Sequence, residues 1–127
     1  MLFNLITLFP DFFREPLGLS IPGRAAAAGL ASYRVGDLRE YTHDRHRTVD
    51  DYPYGGGAGM VLKAEPFFEA VEALAPEGAA RPPGPILVTS ARGERFSHDL
   101  AVKLSLEPVV TVLWPSRAAT SGPRSMP

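Results

Sequence analysis

Phe3-Asn4-Leu5-Ile6-Thr7-Leu8, followed by Phe9 and Pro10, is the stretch whose reading decides the fold. Its apolar side chains run almost without interruption instead of alternating with polar ones. A strand covered on both faces, as in a parallel sheet, has that pattern. The run ends at Pro10, and the strand is expected at the sheet centre. Further along, Ser20 offers a helix cap, Pro22 is tolerated in the first turn, and Arg24 to Ala28 favour helix up to a stop at Gly29. Tyr33 to Leu38 reads as a second strand. Arg39 to Gly59 is polar, charged and glycine-rich with no period, and unpatterned stretches of that length in compact domains tend to carry function. Pro66, Phe67, Ala70, Val71 and Leu74 then recur at helical spacing. After a proline- and glycine-rich connection, Pro76 to Pro85, the run Ile86 to Thr89 reads as a buried strand entering the tight turn Ser90-Ala91-Arg92-Gly93. Ser97 opens a helix through Leu104, and Val109 to Trp114 is a further strand. Such alternation of strand and helix predicts an α/β domain with a mostly parallel sheet, whose ligand crevice belongs at the carboxyl ends of the strands.

A chain of 127 residues with 45% hydrophobic content can close one core and is short for two. Its formal charge of -1 gives no global attraction to a polyanion, so any nucleic-acid contact must come from a local basic patch. The absence of cysteine removes disulfides, thiolate zinc sites and cysteine nucleophiles. The apolar start, Met1 to Phe9, lacks a basic leader and is far shorter than a bilayer span, so a cytoplasmic protein without a membrane partner is expected. Pro115 to Pro127 holds three prolines, small polar residues and two arginines, with nothing suited to packing, and reads as a disordered tail.

Titratable side chains concentrate in Thr42-His43-Asp44-Arg45-His46-Arg47-Thr48-Val49-Asp50-Asp51. They are able to bind phosphate, position a base or pair with one another, and most charged segments of this kind are merely solvated loops. The neighbouring Tyr54-Gly55-Gly56-Gly57-Ala58-Gly59-Met60 adds four glycines in five positions, which permits positive φ angles and close backbone approach to a ligand. No Gly-Lys-Ser/Thr follows, as a phosphate-binding Walker loop requires, and the dinucleotide pattern G-x-G-x-x-G does not fit. His43, His46 and Asp50 lack a standard metal-ligand spacing, and arginines stand ready to pair with the aspartates, so no metal is assigned. No G-x-S-x-G nucleophile turn occurs, which removes that route to acyl transfer.

Taken in order, Asp44 to Asp51 and then Pro53-Tyr54-Gly55-Gly56-Gly57-Ala58-Gly59-Met60 resembles the signature of bacterial tRNA guanine-N1 methyltransferases. Leu8-Phe9-Pro10, Gly23-Arg24-Ala25, and Ser90 with Gly93 agree in register, so the resemblance covers Met1 to about Leu113. It implies the N-terminal part of a trefoil-knotted SPOUT-type domain. It also implies a homodimer that transfers methyl from S-adenosylmethionine to N1 of the guanosine 3′ of the anticodon in tRNA, with no role for DNA. Thr89, Ser90 and Gly93 become the cofactor-binding candidates, and Asp50 a supporting catalytic residue. Arg24, Arg45, His46, Arg47, Gly57 and Gly59 become the tRNA and active-site-loop candidates.

Two departures accompany the resemblance. Ala91 and Arg92 stand where the family usually has proline and glutamine. After the last strand the family continues with G-R-Y-E-G and then G-D-Y-V-L-S-G-G-E, the stretch that forms the knot and leads to the proposed aspartate base. Residues 114–127 do not resemble that continuation. If Arg117 is encoded by CGG, codons for Ala118 to Ser121 can read one base earlier as Gly-Arg-Tyr-Glu, the start of the missing motif. The expectation is therefore a methyltransferase portion, 1–113, followed by an unrelated frameshifted tail, with the knot absent and transferase activity lost. A non-catalytic tRNA-binding or dimerisation remnant is the alternative, and an unstable product with uncovered apolar surface is a third.

Overall fold

The computed structural model describes residues 1–41, 50–53, 60–62 and 64–115, with only the backbone path described at 50–53, 60–62 and 64. A parallel sheet organises them. Strand β1, Leu2–Thr7, lies between β2, Ser32–Asp37, and β6, Val109–Trp114. Beyond β6 lies β5, Ile86–Val88, also parallel, giving the order β2-β1-β6-β5. The α/β class and the central position of the opening strand are as the sequence indicates.

Between β1 and β2 the chain forms two helices where one was expected. Pro10 does not only end the strand. It starts helix α1, Pro10–Leu17, where its missing N–H costs nothing because first-turn amides have no helical acceptor. Helix α2, Ser20–Ala27, is capped by Leu19 and has no side-chain cap, so Ser20 is not the cap expected of it. Ser20 instead sits inside the boundary at φ +52°. The predicted stop at Gly29 is borne out. Gly29 takes φ +74°, and the amides of Gly29 and Leu30 return to the carbonyls of Ala26 and Ala25, a Schellman closure.

Leu38 does not extend β2 as expected; it begins a short 3-10 helix, Leu38–Tyr41, and is fully buried. Nor is Arg39 to Gly59 free of regular structure. Strand β3, Asp50–Pro53, pairs antiparallel with β4, Met60–Leu62, with a register irregularity between Asp50 and Pro53. Helix α3, Ala64–Ala73, follows, and its Ala70, with Phe67 and Val71, packs against the core of Ile6, Leu8, Leu38 and Leu113. Helix α4, His98–Ser105, is capped as expected, the Ser97 hydroxyl accepting from the Leu100 amide at 3.1 Å.

In parallel pairing, residues in register share a sheet face. Ile6 is in register with Leu113, while Thr7 is in register with Asp37 and Trp114. One face thus meets α3 through Ile6 and Leu113. The other presents Thr7, Asp37 and Trp114 side by side at the carboxyl edge.

Candidate functional site at the carboxyl edge

An open cleft of about 550 Å³ lies at that edge, lined from Thr7 through Phe13 and by Asp37 and Trp114. The turn out of β1 builds most of its wall. The Thr7 hydroxyl, fully buried, accepts from the Phe9 amide at 3.1 Å. The Arg39 guanidinium donates to the Leu8 carbonyl at 2.7 Å and lies 5.9 Å over the Phe9 ring. Asp37 accepts from the Arg39 amide at 2.9 Å, so its carboxylate caps the 3-10 helix. Phe13 meets Trp114 edge to face, with ring centroids 5.2 Å apart. Asp11 pairs with Arg14 at 2.9 Å in an exposed position, where such a pair adds little stability. The cleft wall is therefore mainly apolar, and one oxygen of each of its two carboxylates, Asp11 and Asp37, accepts a hydrogen bond.

The second feature of this edge is the turn after β5. The Thr89 amide extends the ladder by donating to the Leu113 carbonyl at 3.1 Å. Its hydroxyl oxygen is buried and has no partner among the described residues. The predicted tight turn forms: the Ser90 hydroxyl accepts from the Arg92 amide at 3.1 Å, and the Ser90 carbonyl from the Gly93 amide at 3.3 Å. A Cβ on Gly93 would meet nothing closer than that carbonyl at 3.5 Å, so local packing does not require glycine. An unpaired buried hydroxyl beside an exposed turn suits a polar ligand. Thr89, Ser90 and Gly93 are not among the cleft's lining residues, so the edge carries two separate features.

The family model for tRNA (Guanine-1)-methyltransferase TrmD matches residues 1–118. The chain belongs to this family. A tRNA (guanine-N(1)-)-methyltransferase of Koribacter versatilis is 53% identical over 106 residues, 83% of this chain and 40% of that protein. The corresponding protein of Kineococcus radiotolerans is 51% identical over 111 residues, 85% of this chain and 39% of its own length. That of Salinispora tropica is 51% identical over 105 residues, 83% and 40% of the two chains. The chain therefore spans about two fifths of the length of these relatives.

Within this methyltransferase family frame, the match takes in the whole parallel sheet, from β1 through β6. The remaining sequence-predicted residues fall elsewhere. Arg24 is exposed on α2, with no ion pair among the described residues. Asp50 opens β3, in register with Leu62. Arg45, His46, Arg47, Gly57 and Gly59 lie outside the described residues. The described residues contain no group of three His, Cys, Asp or Glu able to hold a metal, and no helix among them is long and apolar enough to cross a membrane. Sequence reasoning did not bring Asp37 or Trp114 to this edge, and it reached Arg39 only as the start of the stretch Arg39 to Gly59. Their one available signal was position, at or just after the carboxyl ends of strands in a parallel sheet.

Proposed function

We propose that the chain provides the N-terminal portion, residues 1–113, of a tRNA guanine-N1 methyltransferase acting on the guanosine 3′ of the anticodon in the cytoplasm. The observation that carries this reading is the Thr89 hydroxyl, buried without a described partner at the carboxyl end of β5, in a chain of this family. S-adenosylmethionine, when bound, supplies a methyl group activated on a positively charged sulfur. Thr89, Ser90 and Gly93 are assigned to hold it, the hydroxyl through a hydrogen bond and the glycine by leaving room above the turn.

Guanine N1 carries a proton, so transfer needs a base to remove it and positive charge near the oxygen that gains electron density. Asp50 is assigned a supporting role in organising cofactor or target base. Arg24, Arg45 and Arg47 are assigned to tRNA phosphates, the means by which a nearly neutral protein holds RNA through a local patch. His46, Gly57 and Gly59 lie in the same stretch of sequence as Arg45 and Arg47, and that stretch is proposed to meet the active site across a homodimer. The principal base is assigned to the family continuation that residues 114–127 do not resemble, and those residues are read as a frameshifted tail. The 127-residue chain alone is accordingly proposed to be inactive.

Labelled S-adenosylmethionine and an unmodified tRNA transcript test this reading. The expected result is no transfer above background, and enzyme-like turnover would refute the proposed inactivity. Sequencing the locus tests the tail, since the absence of any alternate frame encoding the family continuation would sink the frameshift. Arg24, exposed and without an ion pair among the described residues, favours a second reading, a non-catalytic tRNA-binding remnant, for which salt-dependent tRNA binding without methylation is the expected result.

A further inference from the structure

The cleft at the carboxyl edge plays no part in methyl transfer as assigned above. Four aromatic rings line it, those of Phe9, Phe12, Phe13 and Trp114, with two carboxylates and no cationic side chain among the described lining residues. The carboxylates differ. Asp11 is paired with Arg14 in an exposed position. Asp37 has no ion pair among the described residues; one of its oxygens accepts from the Arg39 amide, and the other accepts nothing there. Thr7 stands in register between Asp37 and Trp114, so carboxylate and indole rise from the same sheet face on strands two spacings apart, roughly 10 Å. Aromatic faces attract positive charge, and this wall already holds one cation, the Arg39 guanidinium lying 5.9 Å over the Phe9 ring. Hydrogen bonding decides which further cation fits. An ammonium or guanidinium brings several N–H donors, each needing an acceptor once it leaves water. The Leu8 carbonyl already accepts from Arg39 and the Thr7 hydroxyl from the Phe9 amide, which leaves one Asp37 oxygen. A quaternary ammonium has no N–H to satisfy, and gains both the ring faces and the carboxylate.

We propose that the cleft binds a small quaternary ammonium compound of the choline type, its methylated headgroup held between the Trp114 ring and the Asp37 carboxylate. At about 550 Å³ the cleft is of ordinary ligand-pocket size and leaves room for the rest of such a molecule. The site is independent of Thr89 and of methyl transfer. Trp114 is the single tryptophan of the chain and reports on the cleft directly.

The experiment titrates the 127-residue chain with choline at constant ionic strength and follows Trp114 emission, in which a saturable change is expected. The uncharged tert-butyl isostere of choline, and methylammonium, are each expected to bind about ten-fold more weakly. Asp37→Asn keeps an oxygen to accept from the Arg39 amide while removing the charge, and is expected to weaken choline binding by about ten-fold. Phe12, 60% exposed at the rim, can be changed to leucine with its apolar bulk kept. Phe12→Leu is expected to weaken choline binding several-fold with circular dichroism and the unfolding midpoint unchanged, and it decides the matter if Asp37→Asn does not fold. Absence of saturation, equal affinity for the isostere, methylammonium binding as tight as choline, or an affinity indifferent to the substitutions overturns the proposal. Displacement of choline by S-adenosylmethionine would assign the cleft to the cofactor, and preference for phosphatidylcholine vesicles over free choline would assign it to a membrane surface. Either result also overturns it.

Discussion

A side chain at Gly23 has nowhere to go, because its Cβ would run into the Gly18 carbonyl across the α1–α2 turn. Gly23→Ala should therefore destabilise the chain by about 1–3 kcal/mol, the usual cost of overpacking, read from the urea midpoint. The family resemblance pointed to Gly23-Arg24-Ala25 as a motif, and the structure supplies a packing reason for its glycine. Thr89 poses the opposite problem, a buried oxygen without a described partner. Replacing it with valine removes that group, so Thr89→Val should stabilise the isolated chain by up to about 1–3 kcal/mol. If the hydroxyl holds S-adenosylmethionine, the same substitution weakens cofactor capture by calorimetry, and the opposed signs separate ligand contact from packing. Thr89, Ser90 and Gly93 were legible because a turn after a short apolar run has a compact signature, although the run expected to be buried forms the edge strand β5, where Val88 is 58% exposed. Asp37 and Trp114 were not, because their significance comes from strands that become neighbours only in the folded sheet.

Helices and strands were legible in proportion to their length and to how conventionally they begin. Ser97 follows the rule for a cap, so Ser97→Ala should cost about 1 kcal/mol, measured by urea unfolding. Ser20 breaks it. Its φ of +52° is a conformation glycine adopts freely, so Ser20→Gly should raise the unfolding midpoint and Ser20→Val should lower it. Helix α1 escaped notice because Pro10 was read only as a strand terminator, although proline serves equally well in a first helical turn. Strands β3 and β4 escaped because four and three residues are too few to display a period of two.

At the scale of the whole molecule, the core is shallow and concentrated on the face beneath α3, where Ile6, Leu8, Leu38, Ala70 and Leu113 meet. Ile6→Ala should cost about 2–5 kcal/mol by leaving a cavity at that junction, seen as a large fall in the urea midpoint. The mostly parallel architecture followed from uninterrupted apolar runs, but the order β2-β1-β6-β5 did not, since strand order records tertiary pairing and leaves no local trace. The pairing of β1 with β6 joins the first strand to the last, and the buried hydrogen bond from Asn4 to Thr111 spans 107 positions. During synthesis the opening strand must therefore wait, unpaired on one side, until Val109–Trp114 has emerged from the ribosome. Pairing of β1 on its second side is thus expected only once β6 has emerged, and nascent chains halted before Val109 should be far more sensitive to protease than chains halted well beyond Trp114.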